Sequence, residues 1–132
     1  MTRREERDLL TTLVFELSFY SKEEYPEIYS SEKEIKEISS EYVDKCVNGI
    51  IDSMEELDEI ISGCARGWKL ARLSKVTLAI FRVATYEMIY EKLPCNIAIN
   101  EAVELAKKYD DDKAPSFVNG VLNKIAESKG LK

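Results

Sequence analysis

Apolar residues recur along the chain at intervals of three and four, the spacing that places side chains on one face of an α-helix. The first such segment covers residues 4–20, and a connection with room for one helical turn follows over residues 21–31. Ser31 and Glu34 then have the form of a capping box, which would open a short helix. No segment alternates with period two over the length of a strand, so the pattern predicts an all-α fold.

A longer helix is predicted to begin at Ser39 or Ser40, because a serine hydroxyl can accept a hydrogen bond from the first helical turn. Its apolar positions keep the helical spacing as far as Gly63 and Gly67. Glycine is suited to a helix end and a tight corner, so the long helix is expected to stop there.

The second half of the chain repeats the helical pattern in three segments. The first follows Trp68 and ends before Pro94, which cannot continue a helix. Asn96 is placed to cap the second, and the acidic turn at residues 110–112 with Pro115 separates it from the third. The whole pattern predicts six or seven helices.

Composition favours one globular domain over residues 1–132. Hydrophobic residues make up 45% of the chain and charged residues 33%, with only 5 Gly and 3 Pro to interrupt the helices. The expected architecture is a compact helical bundle in two sub-bundles, at about residues 1–63 and 64–132.

Two features of the sequence predict a cytoplasmic protein. No apolar run approaches the roughly 20 residues of a membrane span, and charges at the start argue against a signal peptide. Cys46, Cys64 and Cys95 never form a CxxC pair, so they are interpreted as three inert thiols in a reducing compartment.

The chain contains no histidine, which removes the commonest general base and the commonest metal ligand. No metal, no cofactor and no enzymatic activity are therefore expected. Carboxylates such as Glu101 and Glu104 lie at helical spacing, so a carboxylate-based enzyme is the alternative that this observation leaves open.

A net charge of −6 argues against a general nucleic-acid binder, because counterion release supplies most of the free energy of non-specific binding. Such a protein can still bind RNA where basic side chains cluster and a partner adds more. Arg3, Arg4 and Arg7 share one side of the first helix and can form a fork of guanidinium groups suited to phosphates and bases. The alternative is that neighbouring carboxylates such as Glu5 and Glu6 pair with them on a solvated face.

The segment Phe117–Gly120 departs from an ordinary helix. Gly120 costs about 1 kcal/mol relative to alanine, so something could need close approach to the backbone there. Asn119 can cap a helix, pair with a neighbouring helix or present its amide to a base edge. Phe117 is either a core residue or a stacking platform.

Asn100 and Glu101 form a polar pair inside an otherwise apolar stretch. They are interpreted as members of a structural hydrogen-bond network, with Arg82 or Tyr86 of the preceding helix as the expected partners.

At these residues the sequence resembles the NusB transcription antitermination family. The arginine-rich opening at residues 3–17 is similar to the first helix of the family, and residues 68–88 to its central helix. Residues 94–107, with IAINEAVELAK, and residues 117–126, FVNGVLNKIA, match its last two helices.

The resemblance implies an all-α fold and binding of single-stranded boxA-type RNA together with NusE, a small-subunit ribosomal protein. That complex joins RNA polymerase, suppresses early termination and assists ribosomal RNA synthesis. By position, it implies five RNA-binding residues: Arg3, Arg4, Arg7, Phe117 and Asn119. It also implies three partner-binding residues: Phe15, Leu78 and Arg82.

Four positions depart from the family pattern and predict weak RNA binding that NusE strengthens: Glu5, Glu6, Leu78 and Ser116. The alternatives are a protein-only helical adaptor and the RNA-binding appendage of an RNA methyltransferase. An exposed docking face also allows a homodimer that covers it. Replacing Arg3, Arg4 and Arg7 together by alanine is expected to abolish RNA binding and to leave thermal stability nearly unchanged.

Overall fold

Six α-helices and two short 3₁₀ turns make up the computed structural model, which describes all residues from Met1 to Lys132. The helices are α1 (Arg3–Leu17), α2 (Tyr25–Ile35), α3 (Glu41–Cys64), α4 (Lys75–Ile89), α5 (Cys95–Tyr109) and α6 (Ala114–Ser128). The 3₁₀ turns are Lys22–Glu24 before α2 and Leu70–Arg72 before α4. The all-α prediction is confirmed, at the lower of the two expected helix counts.

Hydroxyl side chains cap the N-termini of three helices. The Ser40 hydroxyl accepts a hydrogen bond from the Val43 amide at 3.1 Å, which confirms Ser40 as a cap of the long helix. At the start of α1, Thr2 accepts from the Glu5 amide at 3.1 Å, and the Glu5 carboxylate accepts from the Thr2 amide at 2.8 Å. Glu5 is therefore part of a capping box and contacts no arginine of α1.

Two predicted helix starts are wrong. Ser31 and Glu34 lie inside α2, which begins at Tyr25 with Pro26 in its first turn. Proline is tolerated there because the first amides of a helix have no intrahelical partner. Asn96 does not cap α5, because Pro94 occupies the cap position and its carbonyl accepts from Ala98 at 3.0 Å.

Gly63 lies within the last turn of α3, and Gly67 follows in the left-handed region with φ of +78°. The tight corner predicted after the long helix is therefore formed by Gly67, a position that glycine adopts without strain.

Two hydrophobic cores share the middle of the molecule. The N-terminal core holds 16 buried residues, mainly from α1 to α4, and the C-terminal core holds 18, mainly from the end of α3 and from α4 to α6. On α4, Ala79 and Val83 face the first core while Ile80 and Phe81 face the second. The sub-bundle boundary near residue 63 stays a prediction, because α3 and α4 contribute to both cores.

We expect Gly49→Ala to lower the free energy of unfolding by about 1–3 kcal/mol, the usual cost of overpacking a core. A Cβ at Gly49 would lie 2.0 Å from the Tyr86 hydroxyl oxygen, and Tyr86 is buried and stacks on Tyr90. Urea denaturation measures the change. Gly120→Ala is the control, because a Cβ there meets nothing within 4 Å. The higher helix propensity of alanine should raise its free energy of unfolding by about 1 kcal/mol. Equal stability of the two variants would contradict the assigned contact.

Candidate functional site

The three predicted arginines differ sharply in exposure. The side chains of Arg3 and Arg4 are 53% and 74% exposed, whereas that of Arg7 is 6% exposed. Arg7 Nε donates to Glu87 Oε1 at 2.7 Å, and its Nη1 donates to Glu101 Oε1 at 3.2 Å. The structure therefore presents two exposed guanidinium groups, not three, and Arg7 links α1 to α4 and α5.

Glu101 of α5 also pairs with a second arginine of α1, Arg4. Arg4 Nη2 lies 3.0 Å from Glu101 Oε2, and Arg4 Nε donates to Oε1 at 3.2 Å. One carboxylate thus receives hydrogen bonds from two guanidinium groups. This finding corrects the predicted network, in which Arg82 or Tyr86 was the partner of Glu101.

Tyr42 completes the buried part of the cluster. Its hydroxyl hydrogen bonds to Glu87, and the Arg3 guanidinium lies 3.5 Å from the centre of its ring. Burial and the bond to Glu87 raise the pKa of Tyr42, so the hydroxyl stays a donor. Burial opposes the charge on Arg7, but the hydrogen bond and charge of Glu87 outweigh it and raise the pKa of the guanidinium.

A groove of about 260 Å³ opens beside Arg4, between α1 and α5. Its charged lining is balanced between three basic and three acidic residues: Arg4, Arg7, Lys108, Asp8, Glu101 and Glu104. Lys108 Nζ lies 2.6 Å from Asp8 Oδ2, and the Tyr109 hydroxyl bonds to the same carboxylate. The groove therefore has little excess positive charge before a ligand displaces one of these pairs.

Phe117 and Asn119 lie on α6, outside the arginine groove. Phe117 is half-buried, with its ring centroid 5.4 Å from Trp68 and 5.6 Å from Phe81, so it packs against the C-terminal core. Asn119 is exposed, and its backbone carbonyl accepts from the Asn123 amide at 2.9 Å.

The groove that contains Asn119 runs between α5 and α6 and is rich in carboxamides. It has a volume of about 490 Å³, and four asparagines line it: Asn96, Asn100, Asn119 and Asn123. Carboxamides can pair with the edges of bases. α5 contributes to both grooves, with Asn100 in the carboxamide groove and Glu101 in the arginine groove. Sequence reasoning missed it, because Asn96 and Asn123 lie 27 residues apart.

The predicted partner-binding residues lie on two helices, Phe15 on α1 and Leu78 and Arg82 on α4. Phe15 is half-buried and meets Phe19 edge to face, with centroids 5.1 Å apart, and Phe19 is 58% exposed. Lys75 Nζ, at the start of α4, lies 5.2 Å from the Phe19 ring and donates to the Ser18 carbonyl at 3.2 Å. Leu78 is half-buried and packs against the C-terminal core. The end of α1 and the start of α4 thus form an aromatic surface with one cation.

Arg82 has a structural position. Its side chain is 8% exposed, and its Nε and Nη2 donate to the two carboxylate oxygens of Asp58, each at 2.8 Å. This bidentate pair joins α4 to α3 and occupies the planar donors of the guanidinium. The role of Arg82 in partner binding stays a prediction, and the structure leaves it little free surface.

The chain offers few candidates for a reactive thiol, a metal site or a membrane-spanning helix. Burial raises the pKa of the Cys46 thiol to about 11, which agrees with an inert thiol. No group of three or more cysteine, aspartate or glutamate side chains is arranged to hold a metal ion. None of the helices combines the length and the apolar character needed to cross a membrane.

Comparisons with known proteins agree on one family. The model of the NusB family matches residues 4–127. The transcription antitermination protein NusB of Clostridium novyi (strain NT) is 43% identical over 134 residues, which cover 97% of this chain and 100% of that protein. The structure of T. maritima NusB is 32% identical with a TM-score of 0.78, covering 96% of this chain and 92% of that one.

A solved structure of the antitermination factors NusB and NusE in complex with dsRNA is also similar. It is 28% identical with a TM-score of 0.79, and covers 97% of this chain and 99% of that chain. These matches confirm the resemblance and the NusB-like fold, and the relatives are transcription antitermination proteins, not enzymes. The chain belongs to the NusB family.

Proposed function

We propose that this protein binds single-stranded boxA-type RNA together with NusE, in a cytoplasmic antitermination complex with RNA polymerase that supports ribosomal RNA transcription. The observation that carries the proposal is the exposed pair Arg3 and Arg4 at the start of α1, with Arg4 bound to Glu101 of α5, the helix that also forms one wall of the carboxamide groove. Phosphate contacts fix the position of a nucleic acid, and contacts to base edges select its sequence. This surface offers both kinds of group within one region.

Single-stranded RNA fits this surface better than a duplex does. The Watson–Crick edges of unpaired bases are free to meet carboxamides, whereas the major groove of an RNA duplex is too narrow for side chains. Asn100 and Asn119 lie on the two walls of the groove and are both exposed. Bases turned toward α5 and α6 would leave their phosphates toward Arg4.

NusE is proposed to dock on the aromatic surface of Phe15, Phe19 and Lys75. The support is a large exposed ring beside a cation at the junction of two helices, and the presence of NusE and RNA in the related complex. Because this chain has a net charge of −6, cooperative RNA binding would require positive charge from the partner. By linkage, RNA and NusE strengthen each other's binding by the same factor.

Arg3→Gln/Arg4→Gln is expected to weaken binding of boxA-type RNA at least tenfold in the presence of NusE, because two exposed phosphate ligands are lost. The slope of log affinity against log salt should fall by about 1.4, at about 0.7 per contact with a single strand. Fluorescence anisotropy of labelled RNA at several salt concentrations measures both quantities.

Lys33→Gln/Lys129→Gln is the matched control, because it removes the same charge from α2 and from the end of α6. Equal affinities of the two double variants would contradict the RNA site. The balanced charge of the arginine groove favours one second candidate, the protein-only adaptor. NusE binding without any RNA binding by the wild-type protein would support that adaptor.

A further inference from the structure

A basic segment interrupts this acidic chain between α3 and α4. Residues 64–75 contain four basic residues and no acidic one, although the chain as a whole has a net charge of −6. The four basic residues are Arg66, Lys69, Arg72 and Lys75. Such a local excess of positive charge attracts an anionic ligand.

The same segment holds the single tryptophan of the protein at the rim of a cavity. Trp68 is 51% exposed, and its ring centroid lies 5.4 Å from that of Phe117, which supports the indole from the core side. The cavity has a volume of about 350 Å³, and Arg72 and Lys113 are its two basic lining residues. A flat aromatic surface and two cations therefore face one space, here named the Trp68 pocket.

The cations of the Trp68 pocket are free of ion pairs. Neither the Arg72 guanidinium nor the Lys113 ammonium group lies within 4 Å of a carboxylate oxygen. The two acidic residues of the lining have other partners: Asp110 bonds to the hydroxyl of Thr77, and Asp111 accepts from the Lys113 amide at 2.9 Å. The pocket carries two positive and two negative side chains, but an incoming anion would reach Arg72 and Lys113 without displacing an ion pair, unlike in the arginine groove.

We propose that the Trp68 pocket binds a nucleotide of single-stranded RNA, with the base stacked on Trp68 and a phosphate held by Arg72 and Lys113. This inference rests on the proposed function and adds a second contact to it. Aromatic side chains accept any base as a stacking partner, and cations beside them hold the backbone. An acidic protein segment would use the cations but would leave the exposed indole without a planar partner.

The fold supplies a route between the arginine groove and the Trp68 pocket. Both sites border the C-terminal end of α5, where Lys108 contacts Asp8 of α1 and Asp110 contacts Thr77 of α4. An RNA strand held at Arg4 can therefore continue around this end of α5 to reach Trp68.

The fluorescence of Trp68 reports the proposed contact directly, because no other tryptophan contributes. We expect an oligouridylate of about six nucleotides, a length within the usual site size, to quench this fluorescence. Arg72→Gln/Lys113→Gln should weaken the binding about tenfold and lower its salt slope by about 1.4. Lys33→Gln/Lys129→Gln should leave both quantities unchanged.

A second pair of variants tests the stacking. Trp68→Ala removes the platform, while Trp68→Phe keeps a ring against Phe117, so anisotropy of labelled oligouridylate should show weaker binding for alanine than for phenylalanine. Circular dichroism verifies that each variant is folded. Equal affinity of both variants and of the wild type would overturn the inference.

Four further outcomes test this inference apart from the proposed function. Loss of RNA binding in Arg3→Gln/Arg4→Gln with no effect of Arg72→Gln/Lys113→Gln would overturn the Trp68 pocket alone. The reverse result would support the pocket and overturn the arginine site. Equal quenching by uridine monophosphate at the same nucleotide concentration, or quenching by polyglutamate but not by RNA, would overturn the assignment to an RNA strand.

Discussion

Arg7→Ala is expected to lower the free energy of unfolding by about 3–5 kcal/mol, the usual cost of removing one partner of a buried ion pair. The Glu87 side chain is 1% exposed, so the variant would leave its carboxylate buried with Tyr42 as its remaining partner. Urea denaturation at neutral pH measures the loss. This expectation replaces the earlier one, in which removal of all three arginines left stability unchanged.

Arg4→Ala is the control for that experiment, because its side chain is 74% exposed and a surface pair contributes about 1 kcal/mol or less. Arg7→Ala/Glu87→Gln removes the unpaired charge and should recover part of the stability. If Arg7→Ala and Arg4→Ala cost the same, the buried pair between α1 and α4 would be refuted.

Glu101→Gln is expected to strengthen the binding of boxA-type RNA about tenfold, which corresponds to about 1.4 kcal/mol. The Glu101 carboxylate receives donors from both Arg4 and Arg7, so a phosphate must compete with it for the same guanidinium groups. Glutamine keeps the shape of the side chain and removes its charge. Anisotropy titrations with NusE present measure the gain.

Glu104→Gln is the matched control, because it removes one negative charge from the same groove. Glu104 pairs with the exposed Lys107 and not with an arginine. Equal gains in the two variants would indicate a general effect of charge. A loss of affinity in Glu101→Gln would show instead that the carboxylate orients Arg4 for the RNA.

The helices were predictable because each depends on local spacing, whereas the network around Arg7 joins residues far apart in the chain. Arg7 contacts Glu87 and Glu101, which lie 80 and 94 residues further along the chain. These contacts depend on how α1 packs against α4 and α5. One signal for its burial was present in the sequence. Leu10 and Val14 follow Arg7 at three and seven positions, so Arg7 belongs to the apolar stripe of α1.

The two missed helix starts have a local cause. The segment that contains Pro26 was predicted to be a connection and Pro94 to lie outside a helix, yet proline is also compatible with the first turn of a helix or the position before it. The basic segment around Trp68 was visible in the sequence. Its significance depends on the contact with Phe117, which lies 49 residues further along the chain.

The place of α4 between the two cores has a consequence for folding. Val83 of α4 belongs to the N-terminal core and Ile61 of α3 belongs to the C-terminal core, so neither half of the chain carries all the apolar surface that its own core needs. A fragment that stops before α4 would expose the side chains that Val83 covers. We therefore expect the chain to fold and unfold as one cooperative unit, so that a destabilising substitution in one core also lowers the stability of the other.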